Sequence, residues 1–153
     1  MSRYTATVDW ALKDGEDFPR GRYSRGHTVS FDGGIVIPAS SSPNVVPKPW
    51  SVEGAVDPEE LLVAALANCH MLTFLHVARD AKLVVTAYRD EAEGVMEKTP
   101  DGRWAITRVT LRPAITYAGE APDAAAAKAL HHAAHEGCFI ANSVKTEVVV
   151  EPR

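Results

Sequence analysis

The stretch that most constrains the fold is DPEELLVAALANCHMLTFLHVARDA, residues 57–81. Asp57 at the N-cap, Pro58 at the first helical position and Glu59 and Glu60 in the first turn predict a helix start. The apolar run then carries the helix to about Asp80. Leu62, Ala65, Leu66, Cys69, Leu72, Thr73 and His76 recur at steps of three and four and share a face. Leu61, Ala64, Leu75 and Val77 spread apolar surface almost all round, as in a helix buried on several sides. Cys69 is therefore expected in the interior or at an interface between two chains. Asn68, Cys69, His70, Thr73 and His76 interrupt the run, which argues against a membrane span.

The other elements follow from punctuation. Residues 3–12, 23–31 and 35–40 read as strands, with a turn at 12–22 and a DGG hairpin turn at 32–34. Residues 40–56 carry three prolines and many serines, so they read as an ordered loop or flap, a length of irregular chain that is usually functional. Residues 82–99 and 103–118 read as two long strands joined by a PDG turn. Residues 121–137 form a second helix, capped by Asp123, filled with alanine and stopped by Gly137. Residues 138–144 form a short irregular or helical piece, and 145–152 the last strand. Strands, helix, strands, helix, strand is an α+β order with mostly antiparallel sheet.

With 153 residues, the chain is expected to form a single domain spanning 1–153 and to bury a full core unaided. The net charge is −4 and no run of Lys/Arg exceeds two residues, so nucleic-acid binding is not expected. The opening residues, MSRYTATVDWALKDGED, hold no apolar signal region, which makes a cytoplasmic location the expectation. There is no glycine-rich phosphate loop and no paired-carboxylate arrangement. DPEE reads as a helix start and DEAE as a solvated strand edge.

Two cysteines, Cys69 and Cys138, are too few for a disulfide scaffold. In a reducing compartment a disulfide between them is transient and catalytic rather than structural. An isolated core cysteine is ordinarily an inert small hydrophobe, and His70, one residue on, points away from the thiol as a helix neighbour must. Cys138, however, follows a helix-ending glycine. If 139–143 turn helically, amides and dipole would stabilise a thiolate there. One cysteine in a buried helix and one at a helix start suit a thiol peroxidase with an attacking and a resolving cysteine, although two unrelated core cysteines have the same composition.

DPEELLVAALANCHMLTFL, followed far downstream by HEGCFIANSVKTEVVV, resembles the OsmC/Ohr family of osmotically induced and organic-hydroperoxide-resistance proteins. The resemblance covers most of the chain. It implies an α+β fold in which curved, mostly antiparallel sheets wrap central helices in an intertwined homodimer, with active sites at the subunit interface. It implies reduction of organic hydroperoxides by a cysteine pair without a cofactor or metal, with Cys69 attacking and Cys138 resolving. The family glutamate falls on Glu59. The family arginine is best matched by Arg25, with Arg22 and Arg20 as alternatives. Phe139 after the second cysteine, His70 after the first, and the flap sequence depart from the family pattern and suggest a divergent branch.

The chemistry sets its own demands. A free thiol has a pKa of about 8.5 and burial alone would raise it, so a reactive Cys69 needs a nearby cation. No Lys or Arg lies between Pro58 and Ala78. Arg25 is the candidate, with Glu59 orienting its guanidinium through a bidentate pair. Ten residues of helix separate Glu59 from Cys69, roughly 15 Å. Either the helix start bends or Glu59 serves the thiol of a second chain; its plain alternative is a first-turn residue favoured by the helix dipole. Oxidation to a sulfenic acid, condensation with Cys138 and reduction by a small dithiol or a lipoyl- or thioredoxin-type reductant would complete a cycle. Leu66, Leu72 and Phe139, with Trp50 from the flap, are expected to favour a bulky organic peroxide.

Two rival readings use the same residues. His131, His135 and Cys138 fall at i, i+4 and i+7, and Cys69 would complete a zinc set, unless the histidines merely line the wet side of an Ala-rich helix. Alternatively, the chain is a dimer that binds an apolar small molecule or lipid, with incidental thiols.

Overall fold

The computed structural model describes residues 1–153 as an α+β fold that divides into two compact units, Met1–Leu61 and Leu62–Arg153. In the first unit, β1 (Ala6–Asp9), β2 (His27–Phe31) and β3 (Val36–Ala39) form an antiparallel sheet in that order. The strands are shorter than the sequence pattern predicts; β2 starts at His27 because 23–26 stay irregular, the Arg25 amide donating to Trp50 O at 2.8 Å. The β2–β3 turn closes with Gly34 N–H donating to Phe31 O at 3.0 Å, and Gly34 takes φ +82°, a left-handed conformation that favours glycine. The expected flap is ordered by its serines: Ser40 Oγ accepts from Val52 N at 2.9 Å, and Ser42 O accepts from the amides of Val45 and Val46.

Helix α1 runs over Pro58–Asp80, as its sequence signals predict. Its start is a capping box: Glu60 N donates to Asp57 Oδ1 at 2.7 Å and Asp57 N to Glu60 Oε2 at 3.1 Å, so two helix-start donors are satisfied reciprocally. By length and composition α1 is apolar enough to cross a membrane, but in the second unit it is a core helix.

That unit continues with β4 (Val85–Asp90), β5 (Glu93–Lys98), β6 (Trp104–Leu111), β7 (Pro113–Tyr117), α2 (Ala124–Glu136), a 3₁₀ turn at Ala141–Ser143 and β8 (Glu147–Val150). The two long strands expected at 82–99 and 103–118 are each broken. The Arg112 amide donates to Asp90 Oδ1 at 2.6 Å instead of a strand partner, and Pro113 has no amide to offer. β4 therefore pairs with β7, while β5, β6 and β8 form a separate sheet. Pairing is antiparallel except between β6 and β8.

Two apolar clusters hold α1. Leu66 joins Val109 and Leu111 of β6. Phe74 and Ala78 join Leu130 and Ala134 of α2. Each large aliphatic side chain so buried contributes about 1.5–3 kcal/mol relative to exposure. The buried stripe of α1 is thus Leu66, His70, Phe74 and Ala78, not the expected face through Ala65, Leu72 and His76. Leu72 is 58% exposed. A helix apolar on most of its circumference does not itself select the side that is covered; the strands and α2 do.

Candidate active site

The second unit brings Cys69 and Cys138 together. Both are free thiols; Cys69 is half-buried and Cys138 buried. Cys69 lies near the middle of α1, where Thr73 Oγ1 donates to its carbonyl at 2.9 Å. Cys138 is delivered by the end of α2. Asp123 Oδ1 accepts from Ala126 N at 2.8 Å to cap that helix, and the Gly137 amide closes its last turn on Ala133 O at 3.1 Å. Gly137 does end α2, but at φ −84°, so it is not a left-handed cap. Its lack of a side chain serves space: a β-carbon there would sit 3.0 Å from Thr73 Cγ2.

The expected helical turn after Cys138 is present, and the Ala141 amide donates to Cys138 Sγ at 3.4 Å. The turn lowers the thiol as expected, but the net shift is upward. Burial pushes the Cys138 thiol up and the neighbouring Cys69 side chain adds to the rise, against the lowering by the Ala141 amide. A single 3₁₀ turn has too few aligned peptides to outweigh the lost hydration.

Arg25 and Glu59 belong to the first unit. The Arg25 guanidinium lies 3.7 Å from the Tyr23 ring centroid, and Nη1 donates to Gly21 O at 2.9 Å and Tyr23 O at 2.6 Å. Glu59 Oε2 is buried without a hydrogen-bond partner. The expected Arg25–Glu59 pair does not form within the chain, because the turn carbonyls and the Tyr23 ring hold the guanidinium. Arg20 pairs with Asp17 at 3.4 Å on the surface, and Arg22 is exposed with its backbone bridged to Asp17. Of the three arginines, only Arg25 is gathered into a site.

That site is aromatic, a feature the sequence reading missed. Trp10, Phe18 and Tyr23 cluster with ring centroids 4.6–6.0 Å apart, and Trp10 Nε1 donates to Ser24 O at 2.8 Å. With Arg25, His27 and Pro58 they line a cleft of about 480 Å³. Three aromatics within fourteen residues of turn-rich chain were the available signal.

The other expected residues divide. Leu66 is fully buried in a core cluster and cannot line a substrate site. Leu72 and Phe139, beside the two thiols in sequence, are exposed at 58% and 79%. His131 is buried, not on a wet face, and meets His70 Nε2 at 3.2 Å. No three His, Cys, Asp or Glu side chains are grouped to hold a metal ion, so His131, His135, Cys138 and Cys69 do not form the tetrahedral set the zinc reading needs.

The family described as "OsmC-like protein" matches residues 51–153. An OsmC-like protein of unknown function from Vibrio cholerae O1 biovar eltor str. N16961 is 50% identical, with a TM-score of 0.96 and complete coverage of both chains. The organic hydroperoxide resistance protein OhrB of Bacillus subtilis shares 21% identity at a TM-score of 0.72, covering 99% of this chain and 98% of its own. An organic hydroperoxide resistance protein from Elizabethkingia anophelis shares 18% at 0.73, covering 99% and 94%. The last two are likenesses of fold. No curated protein matches the chain.

Proposed function

We propose a function from one premise: the chain belongs to the OsmC-like protein family. It is a thiol-dependent peroxidase that reduces organic hydroperoxides. The observation that carries this reading is the meeting of Cys69, half-buried on α1, with the buried Cys138 at the end of α2. Structures of the same fold named for organic hydroperoxide resistance support it.

In the proposed cycle the Cys69 thiolate attacks the peroxide O–O bond. The sulfur is oxidised to a sulfenic acid, the bond breaks, and the departing alkoxide takes a proton and leaves as an alcohol. The Cys138 thiol then condenses with the sulfenic acid, forming the disulfide and releasing water. Cys138 has no need of a low pKa in this role. A small dithiol, or a lipoyl- or thioredoxin-type reductant, restores both thiols by exchange.

Arg25 supplies the positive charge that favours the Cys69 thiolate, and Glu59 is its carboxylate. Two features support the assignment: Arg25 makes its hydrogen bonds through Nη1 only, besides resting on the Tyr23 ring, and Glu59 carries an unpartnered buried oxygen. The continuity of α1 from Pro58 to Asp80 supports reading Glu59 as serving the thiol of a second chain. On this reading residues 1–153 act as a single domain within a cytoplasmic homodimer. The exposed Leu72 and Phe139 and the Trp10–Phe18–Tyr23 cleft favour a bulky apolar peroxide over hydrogen peroxide.

The same aromatic cleft also favours a second reading, a non-catalytic dimer that binds an apolar small molecule or lipid. One experiment separates the two. Reduced protein is titrated with cumene hydroperoxide and followed by intact mass and free-thiol analysis. The peroxidase reading expects loss of both thiols and of two hydrogens per chain, with no disulfide in Cys69→Ser. Thiols that stay reduced at stoichiometric peroxide would remove it and leave the binding reading.

A further inference from the structure

His70 of α1 and His131 of α2 meet inside the second unit at 1% and 5% exposure. His70 Nε2 and His131 Nδ1 are 3.2 Å apart. The ring planes are within 8° of parallel and the centroids 5.5 Å apart, the separation of rings joined edge to edge. The contact is therefore an in-plane N–H···N hydrogen bond. Phe74 packs on the His131 ring at 4.5 Å. This is the hydrogen bond that joins α1 to α2.

A neutral imidazole carries one N–H and one lone pair, so the bond is complete when both rings are neutral. A first added proton places a charge where little water reaches, at a cost that only a counter-ion would offset. None faces it. Around the pair stand His135, whose Nδ1 is buried without a partner, and Lys128 and His132, which share a cleft of about 500 Å³ with His131. Tyr88 of β4 lies behind Phe74, while β7 and β8 present Ile115, Val148 and Val150. A second proton makes both facing nitrogens donors and abolishes the bond.

The pair is coupled to the thiols by the chain. His70 directly follows Cys69. His131 lies on the helix whose end, seated on Thr73 through Gly137, carries Cys138. We propose that His70 and His131 are positioning residues for the thiol pair: while neutral, their hydrogen bond clamps α2 to α1 and keeps Cys138 buried against Cys69, and acid releases the clamp and uncovers Cys138. Burial, reinforced by His131 and His135, holds His70 at about 4, and burial lowers His131 as well, so the clamp is closed at neutral pH. The inference rests on the peroxidase reading only for its consequence, a resolving thiol that acid withdraws from its partner.

The test uses neither peroxide nor a disulfide between the two cysteines, so its failure leaves the peroxidase reading untouched, and an inactive protein still answers it. In Cys69→Ser protein, Cys138 is labelled with 4,4′-dithiodipyridine. The rate is divided by that of the same protein unfolded in urea at the same pH, which cancels thiol ionisation and leaves the protection due to structure. The clamp expects protection to fall at least about tenfold from about pH 7 to about pH 4.5, and to change less than about twofold in the same protein carrying His70→Leu and His131→Phe. Unchanged protection with the histidines present, or an equal fall without them, would overturn it. A second measurement stands if the triple variant does not fold. Imidazole NMR shifts of the folded protein should show His70 and His131 both neutral at about pH 7, and either ring protonated there would also overturn the clamp.

Discussion

The backbone of Gly137 rests directly on Thr73: a β-carbon at 137 would lie 3.0 Å from Thr73 Cγ2. The backbone there is right-handed, so substitution meets a steric cost and no conformational one. Gly137→Ala should cost about 1 kcal/mol, and Gly137→Val about 1–3 kcal/mol, as overpacking does elsewhere. Because Cys138 is the next residue, both variants should also form the Cys69–Cys138 disulfide more slowly than wild type. Urea melts and peroxide-quenched thiol counts check the two effects separately.

Stability should fall in acid before the carboxylates titrate. His70 is held at about 4 in the folded chain by burial and by His131 and His135, against about 6.5 when unfolded. The unfolded state therefore binds more protons between those values, and the contribution is lost as pH falls through that window. Between about pH 7 and pH 5 the loss should be about 2 kcal/mol from His70 alone. Urea unfolding at both pH values, repeated on His70→Leu, measures it; an undiminished pH slope in the variant would contradict this assignment.

Arg25 holds a planar cation on the Tyr23 ring and two turn carbonyls. Lysine could donate to the carbonyls but lacks the planar guanidinium that lies on the ring and keeps further N–H donors free. Arg25→Lys should lower kcat/KM for cumene hydroperoxide by about 10–100-fold, with Arg25→Ala at least as impaired. Arg20→Ala and Arg22→Ala, at exposed positions, should leave the rate within about twofold of wild type. Steady-state assays with a dithiol reductant rank the three.

The capping box at the start of α1 gives a prediction independent of function. Asp57→Ala removes the acceptor for Glu60 N and should cost about 1 kcal/mol. By contrast, Phe74→Ala empties a fully buried aromatic site and should cost about 3–5 kcal/mol. Denaturant midpoints compare the two.

Local chemistry is what the sequence by itself determined. Asp57, Pro58 and the first-turn glutamates place the start of α1 because a helix end must satisfy its own amides from nearby side chains. Asp123 does the same for α2. The alternation of strands and helices reads as α+β, and the two cysteines stand out by type and setting, because all of these signals act over a few residues.

What the tertiary structure decided are the choices that require a partner from elsewhere in the chain. The covered face of α1 is one: apolar residues nearly surround that helix, so Val109, Leu111, Leu130 and Ala134 select Leu66, Phe74 and Ala78. The breaks in the long strands are another, since Asp90 takes an amide that lies 22 residues away. The Cys138 thiol is raised and not lowered, because burial outweighs one short turn. His131, expected in water, is interior because His70, 61 residues distant, offers the one hydrogen-bond partner that makes its burial tolerable. Hydrophobic contact and polar satisfaction are settled between neighbours in space, and only folding makes those neighbours.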